Sequence, residues 1–151
     1  MESFALPNGA AAIVDYAHTG DALSNILTTL RKLEPAHLTV VFGCGGDRDK
    51  SKRPLMGKIA AALADKVYLT SDNPRSEKPD VIIKEIRSGI PESFTGLSVE
   101  PDRRTAILQA LNNARSGDIV LIAGKGHETY QEINGVKFHF DDHEVIRDFL
   151  N

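Results

Sequence analysis

Leu38-Thr39-Val40-Val41-Phe42, halted at once by Gly43-Cys44-Gly45-Gly46, is the segment on which the architecture turns. The run is β-prone and has no polar alternation, as expected of a strand buried on both faces. Such strands belong in parallel sheets with helices on either side. The same arrangement returns at Asp118-Ile119-Val120-Leu121-Ile122-Ala123, closed by Gly124.

The flanking sequence fits that frame. Ala10 to Tyr16 is a short apolar strand. Leu23, Ile26, Leu27, Leu30 and Leu33 then recur at helical spacing and predict an amphipathic helix from about Asp21 to Leu33. After the glycines, Pro54 suits the first turn of a helix carrying Leu55, Ile59 and Leu63. Lys66 to Thr70 is a third strand, and Pro79 opens a helix with Ile82, Ile83 and Ile86. Leu97 to Glu100 is a weak strand, and Asp102 is an N-cap for a helix bearing Ile107, Leu108 and Leu111. Tyr130 to Ile133 and Val136 to Phe140 flank Asn134-Gly135, a hairpin signal because both turn positions tolerate positive φ. A last helix covers Asp142 to Leu150. The expected fold is α/β, with a Rossmann-like, mostly parallel sheet, helices on both faces and the hairpin as an antiparallel edge. One domain spans 1–151, with no internal repeat, low-complexity tract or linker.

Composition excludes several function classes. The 151 residues suit one domain with its own core. A 41% hydrophobic and 26% charged content is ordinary for a globular protein. A net charge of -3 and a pI near 5.9 argue against a general nucleic-acid binder. No apolar run is long enough to span a bilayer, so no membrane partner is expected. Met1 to Pro7 lacks the basic n-region of a secretory signal. The single cysteine, Cys44, cannot form an internal disulfide, which fits a reducing cytoplasm. Met1 need not be the natural start.

In open parallel sheets ligands bind beyond the carboxyl ends of the strands. Here those ends are polar: Asp15-Tyr16-Ala17-His18, Gly43 to Arg53, Asp72-Asn73-Pro74-Arg75, and Gly124-Lys125-Gly126-His127-Glu128. All should converge on one edge. A rigid Asn-Pro turn ending in arginine suits the grip of a small zwitterion, although such turns are also common with the arginine in solvent. Two familiar phosphate motifs fail. Arg48 stands where a dinucleotide fingerprint needs its third glycine, and Ile119 and Gly126 replace the first glycine and the Ser/Thr of a P-loop. Asp15 and His18 have two readings: contact with a ribose or base, or simple helix capping and local packing, which is favoured without further context. His127 reads as structural, and no metal-ligand spacing surrounds it. His37, His139 and His143 read as surface residues, and Cys44 as a small buried side chain.

Taken together, these segments resemble the C-terminal domain of the Mur ligases, most closely the branch that adds diaminopimelate to the peptidoglycan stem peptide. The resemblance covers almost the whole chain. It rests on Asp15-Tyr16-Ala17-His18-Thr19, on Gly43 to Lys50 with Lys52 to Gly57, on Asp72 to Arg75, and on Ala123 to Glu128. Gly20 departs from the proline frequent in the family. The resemblance implies an ATP-dependent, amide-bond-forming ligase acting on UDP-N-acetylmuramoyl-L-alanyl-D-glutamate through an acyl phosphate. It implies UDP-binding and ATPase domains outside this chain, which would hold most of ATP and Mg²⁺ and leave the isolated domain inactive. It assigns meso-diaminopimelate to Arg48, Asp72, Asn73, Pro74, Arg75, Gly124 and Glu128. Asp15, His18 and Lys50 are its candidates for nucleotide contacts. No catalytic residue and no metal ligand is expected in this domain. The rivals are a ligase adding another amino acid such as lysine, and a non-catalytic α/β module that binds a zwitterion or nucleotide.

Overall fold

The computed structural model describes residues 1–151. The element order is β1 (Glu2–Ala5), β2 (Ala11–Asp15), α1 (Gly20–Arg31), β3 (Leu38–Phe42), α2 (Lys52–Leu63), β4 (Lys66–Leu69), α3 (Pro79–Arg87), β5 (Leu97–Val99), α4 (Arg103–Asn113), β6 (Ile119–Ala123), β7 (Tyr130–Ile133), β8 (Val136–His139) and α5 (Asp142–Leu150). Six strands form one sheet in the order β1-β2-β6-β3-β4-β5. All neighbours in it are parallel except β1 and β2.

The pleat divides the core. Leu38, Val40 and Phe42 point to a layer made by Leu23, Leu27 and Leu30 of α1, Met56 and Ala60 of α2, and Ile82, Ile83 and Ile86 of α3. Val41, Tyr68, Val120 and Ile122 face Ala106, Ile107, Ala110 and Leu111 of α4 and Val145 and Ile146 of α5. Every residue of β3 and β6 is buried, so the unbroken apolar runs are explained by cover on both faces. Short polar side chains start the helices. Thr19 Oγ1 accepts from Ala22 N at 3.2 Å, Asp102 Oδ2 from Thr105 N at 3.0 Å, and Asp141 Oδ1 from His143 N at 2.9 Å.

The expected fold class holds, with three local differences. The antiparallel edge is β1, while β7 and β8 form a separate two-stranded sheet instead of an edge of the main one. Asn134 and Gly135 do take positive φ, 50° and 79°. Helix α1 stops at Arg31, and Leu33 lies in solvent beyond it. His143 is buried, not superficial. Its ring stacks on His127 with centroids 5.2 Å apart and lies edge-on to Phe4 of β1.

One ion pair ties the second core layer to the strand ends. Arg103 and Asp142, the first residues of α4 and α5, are fully buried and joined by bonds of 2.8 and 2.9 Å. The same guanidinium donates to Ser71 O at 3.0 Å and to Ala123 O at 3.3 Å, so it fixes the exits of β4 and β6. Asp142→Ala is expected to cost about 3–5 kcal/mol in urea unfolding, because it strands a buried charge. Adding Arg103→Met should recover part of that loss.

Candidate functional site

The exits of β3, β4 and β6 meet around a cavity of about 580 Å³. Arg48, Asp72, Asn73, Arg75, Gly124, Glu128 and His18 all line it. A larger depression of about 830 Å³, lined by Lys84, Arg87 and Phe94 among others, lies at the β5 edge and includes none of these residues.

Lys125 organises the floor. Gly124 (φ 115°) and Gly126 (φ 55°) kink the chain on either side of it, and its side chain is completely buried. Its ammonium meets Asp72 Oδ1 at 3.2 Å, Asn73 Oδ1 at 3.0 Å and Glu128 Oε1 at 3.3 Å, matching three donors with three acceptors. Asn73 is the second hub. Its Nδ2 donates to Glu128 Oε1 at 3.3 Å, its Oδ1 also accepts from Glu132 N at 3.0 Å, and its carbonyl accepts from Gly46 N at 2.8 Å.

The hairpin backs the Asp72–Arg75 turn. Arg75 N donates to Glu132 O at 2.9 Å, Asn134 N to Arg75 O at 2.8 Å, and Gln131 Nε2 to Asp72 O at 2.9 Å. These bonds hold Arg75 at φ 52°, a left-handed conformation that costs a non-glycine residue energy and persists only where neighbours impose it. Its guanidinium lines the cavity, with Nη1 on Gly46 O at 3.1 Å and Nε 3.4 Å from Glu132 Oε1.

The glycine-rich loop closes the other side. A Cβ on Gly46 would collide with the Pro74 carbonyl, and one on Gly43 with the Thr70 carbonyl, so both positions require glycine for the approach of two main chains. Asp47 accepts from Ser76 Oγ at 2.6 Å and Ser76 N at 3.2 Å, which holds its own carboxyl below the usual range. Beneath the loop, buried Arg53 pairs with Glu77 at 2.7 and 3.0 Å and donates to Gly45 O at 3.0 Å. The bidentate Arg53 contact, helped by the Asp47 N–H at 2.6 Å, holds the Glu77 carboxyl down at about 2.

Of the other candidates, Pro74, Asp15 and Lys50 fall outside the cavity wall. Pro74 is buried behind it, where its carbonyl accepts from Glu77 N at 3.0 Å. Asp15 accepts from Ala17 N at 3.0 Å and is not a lining residue, and Thr19 caps α1 in its place. Lys50 is 64% exposed and reaches toward Glu77, 3.8 Å away. His18 tilts against Tyr16 with ring centroids 4.6 Å apart, at the cavity's margin. Cys44 lines the cavity, but burial pushes its thiol up to about 12, so it is no nucleophile at neutral pH. No group of three or more His, Cys, Asp or Glu side chains converges as a metal site. No helix is long and apolar enough to cross a membrane.

Sequence reasoning assigned no role to Lys125, Arg53, Glu77 or Glu132. The only local signal for Lys125 was its place between two glycines directly after a buried strand. The site therefore offers Asp72 and Glu128 to cations and Arg48, Lys52 and Arg75 to anions around one cavity. Such a wall suits a small molecule carrying both ammonium and carboxylate groups. It contains no nucleophile paired with a base.

Comparison with known proteins bears on this chemistry. The family model described as Mur ligase, glutamate ligase domain, matches residues 1–126 and stops short of the hairpin. Two similar relatives bear the name UDP-N-acetylmuramoyl-L-alanyl-D-glutamate–2,6-diaminopimelate ligase. That of Thermosynechococcus vestitus is 58% identical over 91% of this chain and 28% of its own length. That of Parasynechococcus marenigrum is 57% identical over 99% of this chain and 29% of its own length. A solved structure of a ligase of that name superposes with a TM-score of 0.94 at 48% identity, covering 99% of this chain and 31% of that one. The chain thus spans less than a third of the length of each of these three proteins.

Asp47, Asp49 and Asp65 are also held low, so part of the acidic limb of stability should trace to Glu77. Its folded value lies below the ordinary 4.5, so its contribution is complete above that pH and is lost as pH falls through about 2. The melting temperature should fall more steeply between those pH values in the wild type than in Glu77→Gln, and the variant should melt lower at pH 7.

Proposed function

Since the chain belongs to the Mur ligases, as their glutamate ligase domain, we propose that it is the amino-acid-recognising part of an ATP-dependent ligase that adds meso-diaminopimelate to UDP-N-acetylmuramoyl-L-alanyl-D-glutamate. The observation that carries this reading is Arg75, which lines one cavity together with the carboxylates of Asp72 and Glu128. The names and identities of the relatives support the same substrate.

Meso-diaminopimelate is lysine with an additional carboxylate at its far end. A guanidinium binds a carboxylate through parallel hydrogen bonds, and Arg75 is the group that receives it. Arg48 gives a second carboxylate contact, Gly124 a main-chain contact, and Glu128 accepts the far ammonium. Asp72, Asn73 and Pro74 fix the turn. Held in this way, the free amine is presented to the acceptor's terminal carboxylate, activated as an acyl phosphate with ATP as phosphoryl donor. The amine displaces phosphate and the amide forms. The contribution of this chain is positional: it turns an encounter of two solutes into one oriented approach. ATP and Mg²⁺ are assigned mainly to the remainder of the ligase, because the chain has no P-loop and no acidic cluster suited to a metal. His18 and the exposed Tyr16 ring beside it fit the margin of a nucleotide site.

Arg75→Ala in the full-length ligase is expected to lower kcat/KM for meso-diaminopimelate about 100- to 1000-fold, the scale of losing one partner of a desolvated charge pair. Steady-state kinetics decide, and near-normal turnover refutes the assignment. The 151-residue chain alone should form no amide from ATP, acceptor and diaminopimelate; measurable ligation by it would overturn the division of labour.

A further inference from the structure

Arg75 already has a carboxylate beside it within its own chain. Glu132 Oε1 lies 3.4 Å from Nε, and the two side chains are 17% and 29% exposed. The contact is a loose Coulombic pair. The main chain of residue 132, and not its carboxylate, holds the recognition turn: Glu132 O accepts from Arg75 N at 2.9 Å, and Glu132 N donates to Asn73 Oδ1 at 3.0 Å. Scaffold and charge are therefore separable at this position.

We propose that Glu132 sets the stringency of substrate selection, as the resident counter-ion of Arg75. The proposal rests on the reading of Arg75 as receptor for the far carboxylate of diaminopimelate. An incoming carboxylate is attracted by Arg75 and repelled by Glu132. A ligand that lacks the group, such as lysine, still leaves Arg75 partly neutralised. Each effect narrows the gap between the two amino acids, one by weakening the correct ligand and the other by sparing the wrong one. Glu132 is thus a selectivity-moderating residue that acts through Arg75. Removing its charge makes Arg75 a stronger carboxylate receptor and a worse neighbour for lysine.

The test uses the full-length ligase and the Glu132→Gln variant, which keeps side-chain length and both main-chain bonds. Steady-state kinetics are measured with meso-diaminopimelate and with L-lysine. The ratio of kcat/KM values is expected to rise about two- to fivefold, the worth of a partly exposed ion pair. A lower KM for diaminopimelate at nearly constant kcat should accompany it. Glu132→Ala, which removes the charge without supplying an amide, should move the ratio the same way. A ratio that stays constant or falls overturns the proposal, and this includes a parallel loss of both activities from a damaged fold. If the wild-type ligase uses lysine as readily as diaminopimelate, the reading of Arg75 fails before any variant is considered.

Discussion

The ammonium of Lys125 is the point through which the cavity wall is assembled. A fully buried cation is tolerable only when every proton finds an acceptor, and Lys125 finds three, on Asp72, Asn73 and Glu128. Those acceptors come from the exits of β4 and β6, which the sheet alone would leave as independent loops. The charge they surround gives them a common origin. Asp72 and Glu128 remain partly exposed while sharing Lys125, so each keeps one side for the cavity.

Around that centre the remaining segments brace one another. The glycine-rich loop exchanges bonds with Asn73, Arg75 and Ser76, and the hairpin joins the same turn from the other side. Arg53 anchors the loop from below through Glu77 and the Gly45 carbonyl. The turn can hold Arg75 in an unfavourable backbone region because both of its flanks are fixed. For the role proposed for Arg75 this rigidity matters: a guanidinium that cannot relax away discriminates better than one on a free loop.

Much of this organisation was legible in the sequence, and the reasons differ by element. β3 was readable to the residue because an unbroken apolar run is a local signal, and the bounds expected for α5 match as well. The hairpin turn was readable from Asn134-Gly135, but its docking was not, because two of its hydrogen bonds are main-chain bonds to Arg75 that no side-chain pattern encodes, and the others reach residues far along the chain. β1 left no trace: its residues are mostly exposed, and its strand character comes from the open edge of β2. His143 looked superficial because polarity suggests exposure, whereas Phe4 and His127 enclose it. The segments that line the cavity could be anticipated from their places at strand ends. Lys125 was not assigned a role, since a lysine in sequence carries no mark of burial and its acceptors at 72 and 73 lie far along the chain.

Arg103 reads the exits of β4 and β6 through the carbonyls of Ser71 and Ala123, and every amino acid supplies a carbonyl. Positions 71 and 123 can therefore drift under mutation with little effect on the spacing of the strand-end loops, within the room their side chains allow. Arg103 and Asp142 have no such freedom, since neither charge can change without orphaning the other. The distance between the two halves of the cavity is thus inherited through two helix-starting residues outside its wall, while the residues adjoining that wall are left to vary.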